Sequence, residues 1–190
     1  MTGPEARLIF AAANIVGESL LWDDRVGRLI WIDIIGRRIH RLDPLTLNHE
    51  SWEMPDLVTS IGLRVDGGAI VGLSQEVVLW DFGGPLRKLA AVEAEYPGTR
   101  LNEGVVAPDG SFWVGTMANN IGPDDAPVDI TEDLGRIYRV SKRRGDRIER
   151  RPIRHHQYDG VDGRWTFRHR RHHEKRALQL SLGSHSVSPR

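Results

Sequence analysis

The chain has 190 residues, 26 basic and 26 acidic side chains that give zero formal net charge, and no cysteine. Without cysteine, a disulfide scaffold, thiolate catalysis and a Cys-ligated metal are excluded. The N-terminus has no basic segment followed by a long apolar run, and no apolar stretch approaches the roughly 20 residues of a membrane helix. We therefore expect a soluble cytoplasmic protein with no membrane partner.

The charges are unevenly distributed along the chain. Residues 141–190 hold 14 Lys and Arg against 5 Asp and Glu, a net charge of +9, which leaves 12 against 21, or −9, for residues 1–140. Six of the eight histidines also follow residue 140. Because such a split indicates two parts of different character, we predict a folded domain over residues 1–153 and a basic, His-rich, disordered tail over residues 154–190.

The first 140 residues are typical of β-strands. β-branched and aromatic residues dominate their apolar runs, and no long run has the 3.6-residue period of a helix. In chain order, the predicted strands are residues 29–34, 38–42, 69–73, 77–80, 111–117 and 136–140. We predict an all-β fold.

Three of these strands begin after a turn glycine. Gly27, Gly68 and Gly110 are 41 and 42 residues apart. Periods of about 40–45 residues with several strands each are typical of β-propeller blades. The alternative is a β-sandwich in which short strands recur at this spacing by coincidence.

A cation, an amide and a carboxylate precede the turn at residues 108–110. Arg100, Asn102 and Glu103 lie within four residues, just before a predicted strand. Polar groups beside a rigid strand pair can form a ligand site, and a guanidinium can donate to a ligand rich in hydroxyl or carbonyl groups. The alternative for Arg100 is a surface arginine that pairs with Glu103.

Carboxylate and amide oxygens suggest a cation site at the same place. Glu18 and Asn102 both occur where the chain enters a strand, and such oxygens can bind Ca²⁺, Zn²⁺ or Mn²⁺. A propeller can bring both positions to its central channel. Taken alone, a glutamate next to a glycine, as Glu18 is, is usually a solvated surface residue. Asn119 and Asn120 can add amide groups at the opening of this channel, or can form an ordinary turn before Gly122.

Together these motifs resemble the SMP-30/gluconolactonase/regucalcin (LRE) family over residues 15–153. They are Gly17-Glu18-Ser19 with Trp22-Asp23, residues 29–34, Arg100-Leu101-Asn102-Glu103-Gly104, Pro108-Asp109-Gly110, residues 112–117, and residues 135–140. The resemblance implies a six-bladed β-propeller with one divalent cation in its channel. It also implies hydrolysis of a sugar lactone, such as gluconolactone, to an aldonic acid.

The resemblance implies roles for five residues. Glu18 matches a metal ligand, Asn102 matches a residue at the metal and the substrate, and Arg100 matches a substrate-binding arginine. Asn120 stands where family members carry a substrate-contacting glutamate, and Glu103 stands where aspartate is usual. The implied mechanism is metal-assisted hydrolysis with an aspartate further along the chain as general base. Neither that aspartate nor a second asparagine ligand is recognisable, so we predict no catalytic residue.

The tail departs from the family. Reading the codons of residues 156–165 one base out of register permits Thr-Asn-Thr-Met-Ala-Trp-Thr-Ala-Asp-Gly, which is similar to the family segment expected there. We therefore hypothesise a frameshift near Ile153, which resequencing of the gene would test. Two alternatives are metal binding by the histidine pairs at 155–156 and 172–173, and nucleic-acid binding by the basic run. The basic run lacks a recognised nucleic-acid fold.

The expected chain is a shortened propeller of three to four blades. Six blades of this period need on the order of 250–290 residues, so we expect open sheet edges, weak folding or aggregation, and little lactonase activity as a monomer. The competing hypothesis is an inactive or non-enzymatic remnant that binds calcium or another ligand.

Overall fold

The computed structural model of the protein describes residues 3–141, and this part of the chain is built from strands. No helix in it is long and apolar enough to cross a membrane. The strands are β1 (Gly17–Asp23), β2 (Arg28–Asp33), β3 (Arg38–Leu42), β4 (His49–Glu53), β5 (Ser60–Leu63), β6 (Ala69–Gly72), β7 (Glu76–Trp80), β8 (Arg87–Ala91), β9 (Thr99–Val106), β10 (Phe112–Ala118) and β11 (Ile137–Val140).

The strands form three antiparallel meanders. The first sheet has the order β1-β2-β3-β4, the second β5-β6-β7-β8 and the third β9-β10-β11. The first strands of successive sheets are neighbours, because β1 contacts β5 and β5 contacts β9. Sheets that stand side by side with their first strands innermost are the blades of a propeller. The prediction of an all-β, incomplete propeller is confirmed, and the described residues form three blades.

All six predicted strands are present, as β2, β3, β6, β7, β10 and β11. The innermost strands β1, β5 and β9 and the outermost strands β4 and β8 were not predicted. Both outermost strands are polar or small in sequence, and β4 exposes four of its five residues. A strand at the rim of a blade is covered on one side only and needs few apolar residues. The apolar runs in the sequence therefore identify the middle strands of each blade and miss its innermost and rim strands.

Two apolar cores hold the three blades together. Along a strand, successive side chains alternate between the two faces of the sheet, so each middle strand contributes to one interface between neighbouring blades. The core between the first and second sheets includes Ile30, Ile32, Ile39, Ile61, Val71 and Trp80. The core between the second and third sheets includes Ile70, Val77, Leu101, Phe112, Val114 and Tyr138.

Among residues 3–141, no further sheet covers the outward faces of the first and third sheets. Leu20 and Trp22 of β1 are 68% and 54% exposed. The segment before β1 covers part of this first face, where Phe10 packs against Trp31 and His49 with ring centroids 6.2 and 4.8 Å apart. A groove of about 500 Å³ remains between this segment and the sheet.

Candidate functional site

The candidate site is called the mouth here: it comprises Glu18 on β1, Arg100, Asn102 and Glu103 on β9, and Asn120 after β10. Within it, Arg100 is held in a fixed position. It is the second residue of β9 and is only 6% exposed. Its Nε and Nη2 donate to Asn120 Oδ1 at 3.2 and 2.8 Å, and its Nη1 donates to the Leu101 carbonyl at 2.9 Å. A weaker contact of 3.5 Å joins Nη1 to Asn102 Oδ1. The interpretation of Arg100 as a surface residue paired with Glu103 is therefore wrong.

The hydrogen-bond partners of Arg100 are neutral oxygens. No ion pair formed within residues 3–141 includes its guanidinium. Burial lowers the pKa of Arg100, and the negative charge of Glu18 acts in the opposite direction without restoring it. Glu18 on β1 therefore lies close enough to Arg100 on β9 for the two charges to interact.

Glu18 lies beside an irregularity in β1. The register with β2 shifts between Glu18 and Leu21, and Ser19 has a φ of 52°. A bulge changes the direction of the side chains that follow it. Here Ser19 Oγ donates to Glu103 Oε1 at 3.5 Å, and that oxygen also accepts the Gly104 N–H at 3.1 Å. The bulge thus links the first blade to the third across the mouth, while the Glu18 side chain stays exposed.

The entry to β1 is held by Asp33, which the sequence analysis did not identify. Its carboxylate accepts the backbone N–H groups of Ile15 and Val16, each at 2.9 Å, and of Gly36 at 3.2 Å. Burial raises the pKa of Asp33, but these hydrogen bonds outweigh burial and leave the pKa below its usual value. Asp33 therefore fixes the backbone immediately before Glu18. In the sequence, the only indication of this role is the position of Asp33 at the end of an apolar strand.

The entry to β9 is held by Gln75 in the β6–β7 turn. Its Nε2 donates to the carbonyls of Glu93, Tyr96 and Thr99 at 3.1, 2.8 and 3.1 Å. These carbonyls belong to the chain that leads directly into Arg100, so this amide sets the path of that chain. A glutamine in a turn has no distinctive sequence signal, because its partners lie about 20 residues away.

The two adjacent asparagines have different surroundings. Asn119 is exposed, and its Oδ1 accepts the Ile121 N–H at 3.2 Å. This is the turn that the sequence analysis gave as the alternative for the pair. Asn120 is half-buried and contacts Arg100 instead. Only Asn120 therefore takes part in the mouth.

The oxygen atoms of the mouth are of the type that binds a hard divalent cation, but few of them are available as ligands. Glu18 and Asn102 offer a carboxylate and an amide oxygen near the same guanidinium, and oxygen ligands are those that Ca²⁺ prefers. Within residues 3–141, no group of three or more His, Asp or Glu side chains could hold a metal. A cation held here would complete its coordination with water, a ligand oxygen or other groups.

The remaining sequence predictions lie outside the described residues. These are the histidine pairs at 155–156 and 172–173, the basic run, the frameshift near Ile153 and the tail over residues 154–190. The assignment of residues 1–153 and 154–190 to separate parts stays a prediction.

The chain is similar in sequence to regucalcins and to a sugar lactonase. Over 110 residues the chain is 33% identical to a regucalcin from Xenopus laevis, which covers 57% of this chain and 36% of the relative. Over 105 residues it is 37% identical to a 6-deoxy-6-sulfogluconolactonase from Pseudomonas putida, which covers 55% of this chain and 36% of the relative.

A solved structure gives the same result for the fold. The structure described as a calcium-binding protein, regucalcin, from Agrobacterium tumefaciens superposes with a TM-score of 0.58 at 25% identity, covering 71% of this chain and 42% of that one. The chain thus spans between 36% and 42% of the length of these three proteins. The family model for the SMP-30/gluconolactonase/LRE-like region matches residues 16–155. The chain therefore belongs to the SMP-30/gluconolactonase/LRE-like family and has lactone hydrolase-like ancestry.

Proposed function

We propose that the mouth between β1 and β9 binds a sugar lactone together with one divalent cation, as part of a metal-dependent lactone hydrolase site. The observation that carries this proposal is the buried Arg100 guanidinium, which is held by Asn120 and lies within the electrostatic reach of Glu18. The partners of this buried cation are neutral oxygens, and burying a charge without an opposite charge is costly. This supports a role for Arg100 in binding a ligand. The names of the relatives, a calcium-binding regucalcin and a sulfogluconolactonase, agree with this chemistry.

The proposed roles follow from the chemistry of each side chain. Glu18 and Asn102 would hold the cation, since both provide oxygen ligands. Arg100, Asn102, Glu103 and Asn120 would bind the lactone, and the rigid hydrogen bonds of Arg100 would orient it. When bound, a divalent cation polarises a carbonyl and lowers the pKa of a water. We propose that this cation is Ca²⁺, Zn²⁺ or Mn²⁺.

A second candidate function is binding without turnover. General-base catalysis needs a carboxylate within hydrogen-bond reach of the attacking water. In the part of the chain that the structure describes, the carboxylates at the mouth are Glu18, the proposed ligand, and Glu103, which is engaged by Ser19 and Gly104. This favours a site that binds lactone and cation but hydrolyses the ester slowly as a monomer.

The experiment is a lactone-hydrolysis assay with and without each metal. The test variant is Arg100→Gln, and Arg87→Gln on the rim strand β8 is the matched control. A hydrolase site predicts weak turnover that requires the metal and falls in Arg100→Gln but not in Arg87→Gln. Binding without turnover would support the second candidate. Robust turnover would contradict the claim that the mouth lacks a general base. Equal activity of the two variants would contradict the assignment of Arg100 to the site.

A further inference from the structure

The contacts of Asn120 leave it with hydrogen-bond donors only. Its Oδ1 accepts both the Nε–H and an Nη2–H of Arg100. An amide oxygen has two lone pairs, so these two bonds occupy it fully. The group of Asn120 that remains for a ligand is its Nδ2 amide, which has two N–H donors and no acceptor.

Arg100 itself adds a positive charge. A guanidinium has no acceptor, and all three nitrogens of Arg100 already donate to protein oxygens. The oxygens that it contacts, from Asn120, Leu101 and Asn102, are all neutral. A buried charge that is not paired with an opposite charge is costly. The Arg100–Asn120 pair thus presents a donor-only surface through the half-buried Asn120 amide, with the buried positive charge of Arg100 directly behind it.

The acidic groups nearby do not cancel this charge by direct contact. Glu18 acts on Arg100 through space and forms no ion pair with it among residues 3–141. Glu103 accepts hydrogen bonds from Ser19 and Gly104 instead. In the proposed function, Glu18 would also bind the cation, which would neutralise it further.

A surface of this kind discriminates between ligand groups. A hydroxyl that accepts a bond from it keeps a proton for which the surface offers no acceptor. A carboxylate has acceptors only and forms charge-assisted bonds, which are about twice as strong as neutral ones. We propose that the Arg100–Asn120 pair is a subsite for a carboxylate on the sugar, so that the preferred substrates are acidic sugar lactones. This proposal rests on the proposed function for the reaction, but its binding preference can be tested separately.

The test uses the full chain with Ca²⁺ and two sugars that are not lactones. Methyl β-D-glucopyranosiduronate and methyl β-D-glucopyranoside differ in having a carboxylate or a neutral hydroxymethyl group. Calorimetry is expected to show about tenfold tighter binding of the glucuronide, since a hydrogen bond to a charged group gives a difference of this order. Asn120→Asp should abolish the preference, because the new carboxylate would pair with Arg100 and repel the ligand.

The matched control is Asn119→Asp, which adds the same charge one residue away at an exposed turn. This control should retain the preference. Equal affinity of the wild-type chain for the two glycosides, or no binding of either, would overturn the proposal. A preference that persists in Asn120→Asp would also overturn it. Hydrolysis of glucaro-1,4-lactone against glucono-1,4-lactone is measured in parallel. If neither lactone is hydrolysed but the glycoside preference holds, the proposed hydrolase function fails while the subsite stands.

Discussion

The two faces of the third sheet differ sharply in their surroundings. The face toward the second sheet buries Leu101, Phe112 and Val114 to 1% exposure or less. On the opposite face, Val105 is 62% exposed and Trp113 is 40% exposed. The difference shows that stability in this region comes from one interface between blades. Because Arg100 and Asn102 are carried on β9, the geometry of the candidate site depends on that interface and not on the open face.

The largest expected effect comes from truncating the buried face. Phe112→Ala should reduce the free energy of unfolding by about 3–5 kcal/mol, the usual cost of losing a buried aromatic ring. Trp113→Ala, one residue along and on the open face, should cost about 1 kcal/mol or less. Urea denaturation of both variants measures the difference. Similar losses would mean that the open face is covered in solution.

The close approach of β5 and β9 gives a second test of the same interface. A Cβ on Gly104 would lie 2.5 Å from Phe112 Cζ and 2.8 Å from Ser60 Oγ. Gly104→Ala should therefore destabilise the protein by about 1–3 kcal/mol through overpacking. In Gly115→Ala the new Cβ would meet nothing closer than 3.8 Å, so this control should be nearly neutral. Thermal unfolding of the two variants compares them, and an equal shift in Tm would contradict the account of the interface.

The buried face also contains a titratable hydrogen bond between the β8–β9 connection and the third sheet. Tyr138 donates to Glu93 Oε1 at 2.5 Å, and burial together with this carboxylate raises the pKa of Tyr138 to about 12. The unfolded tyrosine titrates near pH 10, so the unfolded chain releases its proton first. Stability from this group is complete below about pH 10 and is lost as the pH rises toward about 12.

Tyr138→Phe tests this alkaline loss directly. The variant should be about 1–2 kcal/mol less stable at pH 7, because Glu93 loses a buried donor. Between pH 10 and about 12 its stability should fall less steeply than that of the wild type. Denaturation at a series of pH values provides both numbers. Parallel curves would show that Tyr138 is not protected in the fold.

The smallest effect on unfolding is expected from polar changes on the open face. Val105→Lys and Trp113→Lys should change the free energy of unfolding by about 1 kcal/mol or less, as is common for exposed positions. They should nevertheless reduce aggregation, because exposed apolar patches promote association. Light scattering against concentration measures this effect. Unchanged scattering would show that the exposed residues of the open face are not the cause of the aggregation that we predict.

Much of the fold could be predicted because its signals are local. The turn glycines at 27, 68 and 110 each lie in a short turn next to a strand, so their spacing identified the blades. The rim strand His49–Glu53 gave no such signal, since a strand exposed along most of its length needs no apolar alternation.

The candidate site was predictable only in its principal residues. The motif around Arg100 and Asn102 is contiguous, and resemblance to the family connected it with Glu18. The supports of the site were not predicted, because each depends on contacts between distant parts of the chain. The sequence shows Gln75 only as a turn residue, because the three carbonyls that its amide contacts belong to the connection from Glu93 to Thr99. The same dependence explains why the Arg100–Asn120 contact replaced the local pair with Glu103.

The central claim is that β1 and β9 jointly form a cation and lactone site. Isothermal titration of the full chain with Ca²⁺, Zn²⁺ and Mn²⁺ tests it most directly, using Glu18→Gln and, as control, Glu53→Gln on the rim strand β4. We predict that one cation binds the wild type and that Glu18→Gln weakens it about tenfold or more, because affinity depends on the number of charged ligands. Glu53→Gln should bind as the wild type does. Equal binding by all three proteins, or no binding by the wild type, would contradict the account.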